Sequence, residues 1–232
     1  MELSEEWERH APEWLAWTQP EHQDGFWTTT GPMLRSLLPP PEGVALDVGC
    51  GEGRGGRLLI EAGHRVVGVD TSPTLVRAAR DGAPPEPVAI ASAAALPVRS
   101  ASVPLVLASM SLLDIEPLDA AIAEIARVLQ PRGVLCAAIL HPFLSALDPD
   151  ELEDGSLSLR WRYLDHQPYA DRYERDGLAM TFTSVHRPLS TYLSLLFAAG
   201  FVLTQLLEAG SGPFPWCLGL RAELQRPSGV HA

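Results

Sequence analysis

The chain has 232 residues, of which 46% are hydrophobic and 20% charged, enough apolar material for a full α/β core and too much for a disordered chain. Its 29 acidic residues outnumber 17 basic ones, all of them Arg, and the net charge of −12 repels a phosphate backbone, which argues against nucleic acid as a partner. No stretch approaches the roughly 18 uncharged apolar residues of a membrane span, and the acidic start does not read as a secretory leader.

Trp7, Trp14 and Trp17 recur at i, i+7 and i+10, one face of a helix that Pro12 is expected to kink or divide. A second short helix over 31–38 is halted by Pro39-Pro40-Pro41. Val44–Val48 reads as the first strand, 55–62 as a helix and 65–69 as the second strand. Ser72-Pro73 then supplies an N-cap and a first-turn proline for a helix running to Arg80. Pro84-Pro85-Glu86-Pro87 leads into a short third strand over 88–91, and Val103–Ser109 is the fourth. Leu118, Ile122, Ile125, Val128 and Leu129 form the apolar stripe of a helix over 117–130, ahead of a buried fifth strand over 133–140.

Residues 141–188 break this rhythm. They are rich in Tyr, Arg, Asp and Trp and are expected to insert as a lid over the sheet's ligand edge. A helix over 189–199 follows, then strands over 201–207 and 216–224 joined at Gly210-Ser211-Gly212-Pro213 as a hairpin. Alternating strands and helices predict a mostly parallel seven-stranded sheet, Rossmann-like, with helices on both faces and an antiparallel C-terminal hairpin. The expected organisation is one domain: a helical cap over 1–40, a cofactor-binding core over 43–140, the lid, and a closing unit over 189–226.

The chemistry concentrates in Leu46-Asp47-Val48-Gly49-Cys50-Gly51-Glu52-Gly53-Arg54, followed by Val66-Val67-Gly68-Val69-Asp70. A strand running into alternate glycines lets the backbone turn tightly and approach a ligand. A carboxylate about 20 residues on, at the tip of the next strand, is placed for ribose hydroxyls. Two registers compete. Gly51 to Gly56 spells a dinucleotide fingerprint, which implies an NAD(P)-dependent oxidoreductase. The register from Asp47 through Gly49, Gly51 and Gly53 puts an acid at the mouth of the loop, which repels a pyrophosphate and suits the cationic S-adenosylmethionine.

These segments, followed in order by Ala95-Leu96-Pro97, Met110 to Asp114 and Arg127-Val128-Leu129-Gln130-Pro131-Arg132-Gly133, resemble the class I S-adenosylmethionine-dependent methyltransferases, particularly the small-molecule branch of the ubiquinone/menaquinone type. The resemblance implies methyl transfer to oxygen or nitrogen, less readily carbon, of a small organic acceptor in the cytoplasm. It implies cofactor contacts from Asp47, Gly49, Cys50, Gly51, Gly53, Asp70, Thr71, Ser92, Ala93, Ser109 and Met110. Ser92 stands where the family usually has an acid beside adenine, and Pro104 where an Asp is common in the fourth strand.

Displacement at a sulfonium releases a neutral thioether, so a base is needed only for a protonated nucleophile. His141, directly after the fifth strand, is the expected base or acceptor-positioning group. Trp27, Tyr163 and His186 join it as expected acceptor contacts; Tyr169, Tyr173, His22, Asp24 and Phe26 lie in the same two segments. No Cys/His cluster has metal-ligand spacing, and Cys50, Cys136 and Cys217 read as reduced thiols. A homodimer is left open, as is a methyltransferase-like fold that binds the cofactor for a regulatory or non-methylating purpose.

Overall fold

β1 (Val44–Val48) divides its side chains between two hydrophobic layers, as the two-residue period of a strand requires. Leu46 and Val48 enter one layer and Ala45 the other. Asp47, two residues from Ala45, therefore shares Ala45's side of the sheet. The computed structural model that shows this describes residues 2–19, 24–82, 85, 87–148, 158–210 and 214–225.

The remaining strands are β2 (Arg65–Asp70), β3 (Val88–Ile90), β4 (Val103–Ser109), β5 (Leu129–Leu140), β6 (Gln167–Arg175), β7 (Leu178–His186), β8 (Phe201–Ala209) and β9 (Cys217–Leu224). Seven of them form one sheet in the order β3-β2-β1-β4-β5-β9-β8. The first five run parallel, and β9 pairs antiparallel with both β5 and β8. This is the expected doubly wound sheet with its C-terminal hairpin. Helices α1 (Leu3–Trp17), α2 (Gly31–Leu37), α3 (Arg54–Glu61), α4 (Pro73–Asp81), α5 (Leu118–Val128), α6 (Pro142–Ser145) and α7 (Leu189–Ala198) complete the described elements. Ile122, Ile125 and Leu196 from α5 and α7 cover Leu135, Ala137 and Ile139 on one face. Leu34, Leu37, Leu58 and Leu59 from α2 and α3 cover Leu105, Leu107 and Cys136 on the other. Each such leucine, fully buried, contributes about 1.5–3 kcal/mol. None of the helices described is long and apolar enough to cross a membrane.

Four local readings change. α1 continues through Pro12: one backbone hydrogen bond is lost, but side-chain contacts on either side of Pro12 hold the helix in place. Upstream, Glu8 accepts from Ser72 and Thr74 at the start of α4. Downstream, Trp14 and Trp17 meet the Phe182 ring edge-on at 6.1 and 5.8 Å. The second helix begins earlier than expected, with a π turn over Phe26–Thr30. α5 ends at Val128 and β5 starts at once, because Pro131 cannot continue a helix and Gly133, whose Cβ would lie 2.9 Å from the Gln130 carbonyl, must follow a left-handed Arg132.

The fourth change lies in 141–188. Residues 149–157 fall outside the described set, but β6 and β7 form a separate two-stranded hairpin. Its tip pairs Arg175 with Leu178 around Asp176 and Gly177, both at positive φ (52° and 77°). A two-residue loop with both φ positive is the type I′ turn that Asp-Gly favours. Trp7 Nε1 donates to the Thr183 carbonyl, and Glu13 accepts from the Thr181 amide. The hairpin is thus docked on α1. His22, the tip residues 211–213 and part of the proline run before β3 also lie outside the described residues.

Candidate active site

The loop leaving β1 is held by β2. The amides of Gly49 and Cys50 both donate to the Val69 carbonyl at 2.8 and 3.0 Å. Gly49 has φ +69°, and a Cβ there would lie 2.4 Å from the Ser111 Cβ. No other residue satisfies both the left-handed backbone and that approach. The next turn places the Gly51 amide 2.8 Å from Asp70 Oδ2, while the Ser72 amide donates to Oδ1 at 2.9 Å. Burial pushes the Asp70 carboxyl up, and the amides of Ser72, Gly51 and Thr71 pull the other way without reversing it. Each carboxylate oxygen keeps a second lone pair for a ligand.

Asp70 opens on a cavity of about 1260 Å³. Gly49, Cys50, Gly51, Thr71, Ser92, Ala93, Ser109 and Met110 share its wall, so most of the expected cofactor contacts converge. Met110 holds φ +55°, an uncommon state for a residue with a side chain and one that collects at functional sites. Ser109 Oγ is buried without a hydrogen-bond partner among the described residues.

Several expected site residues lie elsewhere. Asp47 is not on the cavity wall: strand alternation turns it under α3, where a Cβ on Gly55 would sit 2.6 Å from its Oδ2. Gly53 is the N-cap of α3 and likewise off the wall. His141 is spent on structure. Its Nδ1 accepts from the Phe143 amide at 3.1 Å, capping α6, and its Nε2 donates to Glu208 Oε1 at 2.9 Å. β5 ends beside antiparallel β9, with the His141 amide on the Trp216 carbonyl, so the chain emerges under the C-terminal hairpin rather than over the cavity.

His186 is fully buried between Ser145 Oγ (2.7 Å) and the Tyr163 carbonyl (2.9 Å), and burial lowers its pKa. Tyr163 spends its hydroxyl accepting from the Leu189 amide. Trp27 faces outward at 42% exposed, because the π turn directs its neighbour Phe26 inward instead. Of the other tyrosines in 141–188, Tyr169 is buried and Tyr173 exposed, and neither reaches the wall.

The other half of the wall was not anticipated in detail. It brings Trp14, Trp17, Phe26, Phe182 and Trp216 together with Asp24, Glu52, Arg54, Asp114 and Ser184. Arg54 bridges Asp24 Oδ2 (2.7 Å) and Glu52 Oε1 (2.8 Å) and lies 4.8 and 4.9 Å from the Trp14 and Phe26 ring centres. Trp14 Nε1 donates to the other Glu52 oxygen at 2.9 Å. Burial works against the Glu52 charge, but the Arg54 guanidinium, the Trp14 indole and a backbone hydrogen bond together outweigh it and hold the carboxyl below the usual range. The signal was present in Glu52-Gly53-Arg54, an acid and a base inside a loop otherwise explained by its glycines.

The cavity has a carboxylate for a diol, a hydroxyl lacking a partner, and acidic walls whose one loop guanidinium is already paired. That chemistry fits a cationic nucleoside better than a pyrophosphate. A family model described as a methyltransferase domain matches residues 46–137. Malonyl-[acyl-carrier protein] O-methyltransferase of Enterobacter lignolyticus is 30% identical over 55% of this chain and 47% of its own length. The chain thus spans about half the length of the curated relatives it matches. Among solved structures, an S-adenosylmethionine dependent methyltransferase from Mesorhizobium loti superposes with TM-score 0.67 at 23% identity, covering 87% of this chain and 98% of its own. A SAM-dependent methyltransferase from Methanosarcina mazei does so with TM-score 0.64 at 18% identity, over 84% and 97%. Over residues 46–137 the chain is thus similar to methyltransferase domains, and it shares the fold of the solved S-adenosylmethionine dependent methyltransferases.

Proposed function

We propose that this chain transfers the methyl group of S-adenosylmethionine to an oxygen or nitrogen of a small organic acceptor. The observation that carries the reading is one continuous cavity whose wall joins the glycine loop and Asp70 to an aromatic and acidic chamber. In it, Asp70 takes the ribose hydroxyls, the Gly49–Gly51 backbone faces the methionine part, Ser92 and Ala93 flank adenine, and Ser109 and Met110 lie by the sulfur. When bound, the cofactor supplies an electrophilic methyl on a positively charged sulfur that leaves as a neutral thioether. The chain's own task is to align the acceptor and exclude water. α1 and the β6–β7 hairpin supply the roof, with Trp7, Glu13 and Arg175 joining the two. In this reading 141–188 acts as a lid.

The curated relatives, named as O-methyltransferases, support oxygen over nitrogen. Isothermal titration with S-adenosylmethionine and with NADH tests the reading: micromolar binding of the first and none of the second is expected. The reverse would make the chain a nucleotide-dependent oxidoreductase. Release of S-adenosylhomocysteine with a panel of hydroxyl, amine and carboxylate acceptors, a malonyl thioester included, then tests the reaction.

A further inference from the structure

With His141 off the cavity wall, the cavity still contains a carboxyl that, among the described residues, makes no hydrogen bond to a cation or a backbone amide, Arg187 acting on it only at longer range. Asp114 lies on the wall, four residues beyond Met110. Among the described residues, its carboxyl makes a single hydrogen bond, accepting at Oδ1 from Ser184 Oγ on β7. Four other acids on the wall are committed. Asp24 and Glu52 share Arg54, Asp70 holds two amides, and Glu116 pairs with Arg187. Both guanidinium groups on the wall are committed too, Arg175 lying 4.1 Å over the Trp17 ring and donating to its carbonyl.

We propose that Asp114 is the proton acceptor of the transfer, so that the acceptor is a hydroxyl or amine compound rather than a free carboxylate. The inference rests on the methyltransferase reading above. In the step, the acceptor's oxygen or nitrogen forms a bond to the methyl carbon as the carbon–sulfur bond breaks, its electron pair leaving on sulfur. The proton on the acceptor atom passes to the Asp114 carboxylate and from there to water. A carboxylate acceptor has no proton to give and would meet Asp24, Glu52, Asp70 and Asp114 in one chamber.

The surroundings support a proton-holding role. Burial drives the Asp114 carboxyl well above its usual range, with Ser184 and Arg187 pulling it down and Asp70 adding to the rise; Tyr169 and Tyr192 also face it. A cationic sulfur arriving in the cavity offsets that burial and favours the ionised form, so the base is readied when the methyl donor is present. Ser184 brings the β6–β7 hairpin into direct contact with this carboxyl.

The test needs no acceptor. Sinefungin carries an amine on carbon where S-adenosylmethionine carries its methyl on sulfur, so its ammonium marks the site of transfer. Its affinity, relative to S-adenosylhomocysteine, is measured by titration in the wild type and in Asp114→Asn. The wild type is expected to prefer sinefungin about ten- to hundred-fold, the worth of a charge-assisted hydrogen bond. Asp114→Asn is expected to abolish the preference while homocysteine-analogue affinity stays within about threefold. An unchanged preference in the variant overturns the assignment, and so does an equal loss of both ligands, which would make Asp114 a structural group. If the wild type binds neither ligand, the methyltransferase reading itself fails, and this inference with it.

Discussion

The two halves of the cavity are built by different means. The half proposed to hold the cofactor is a local construction, in which the β1 loop, the tip of β2 and the start of α4 lie within about 30 residues and are joined by backbone amides. The half proposed for the acceptor joins α1, the π turn and the β6–β7 hairpin through contacts between residues more than 100 apart in places, such as Trp7 with Thr183. A backbone cradle tolerates most side-chain changes but no Cβ at its tightest point. A side-chain chamber behaves the opposite way, tolerating backbone variation while each buried charge depends on its partner.

Arg54 is where the two halves meet, and its loss should have the largest effect. Arg54→Met leaves Asp24 buried without its cation and Glu52 with only the more distant Arg57 at 3.4 Å, which is expected to cost about 3–5 kcal/mol. The pH dependence has a definite sign. In the wild type Glu52 is held below its ordinary value, so its contribution is present above that value and is lost as pH falls through the depressed one. In the variant, burial is opposed only by Trp14 and the more distant Arg57, so the carboxyl moves up and the stability gap between the two proteins should narrow on acidification. Thermal melts from pH 7 to 4 would show it, and a gap that widened instead would place the charge balance elsewhere.

Gly49→Val probes the backbone cradle itself. With a Cβ 2.4 Å from Ser111 and φ +69°, a loss of about 2–4 kcal/mol is expected, together with cofactor binding. Gly177→Ala is the control from the other half. It shares a positive φ but has no atom within 4 Å of the added Cβ, so it should cost only about 1 kcal/mol. Equal losses at the two glycines would mean that strain alone, without the close approach, governs the loop.

For Asp70→Ala the fold should survive while cofactor affinity falls about ten- to hundred-fold, the loss of charge-assisted hydrogen bonds worth about 1.5–3 kcal/mol. Titration of a folded variant that binds normally would remove the carboxylate from the ribose site. The smallest change is expected at His141. As a helix cap paired with Glu208, His141→Ala should lower stability by about 1 kcal/mol and leave cofactor affinity untouched. A variant of normal stability with a large loss of turnover would return the ring to the chemistry.

His141 shows what the strand-end rule omits. In a parallel sheet the residue after a central strand faces the ligand edge, but β5 has antiparallel β9 on one side, and the chain turns there into α6. Trp27 and Phe26 show the same limit at shorter range: a π turn changes which of two adjacent rings faces inward. Asp176-Gly177 is a signal that the reading of 141–188 as a lid passed over. The type I′ signal between two alternating runs marks a hairpin where the aromatic and charged composition of 141–188 suggested irregular structure.

By itself the sequence determined the sheet, the glycine cradle and Asp70. Strand alternation, helix stripes and the separation between Gly49 and Asp70 are properties of neighbouring residues, and the parallel topology brings Thr71, Ser92, Ala93, Ser109 and Met110 to the same edge. Only the tertiary structure decided that Asp47 turns beneath α3, that Arg54 joins Asp24 to Glu52, and that Asp114 meets Ser184. Those outcomes depend on pairings between distant segments, whose burial sets which charges need partners, and no local spacing encodes them.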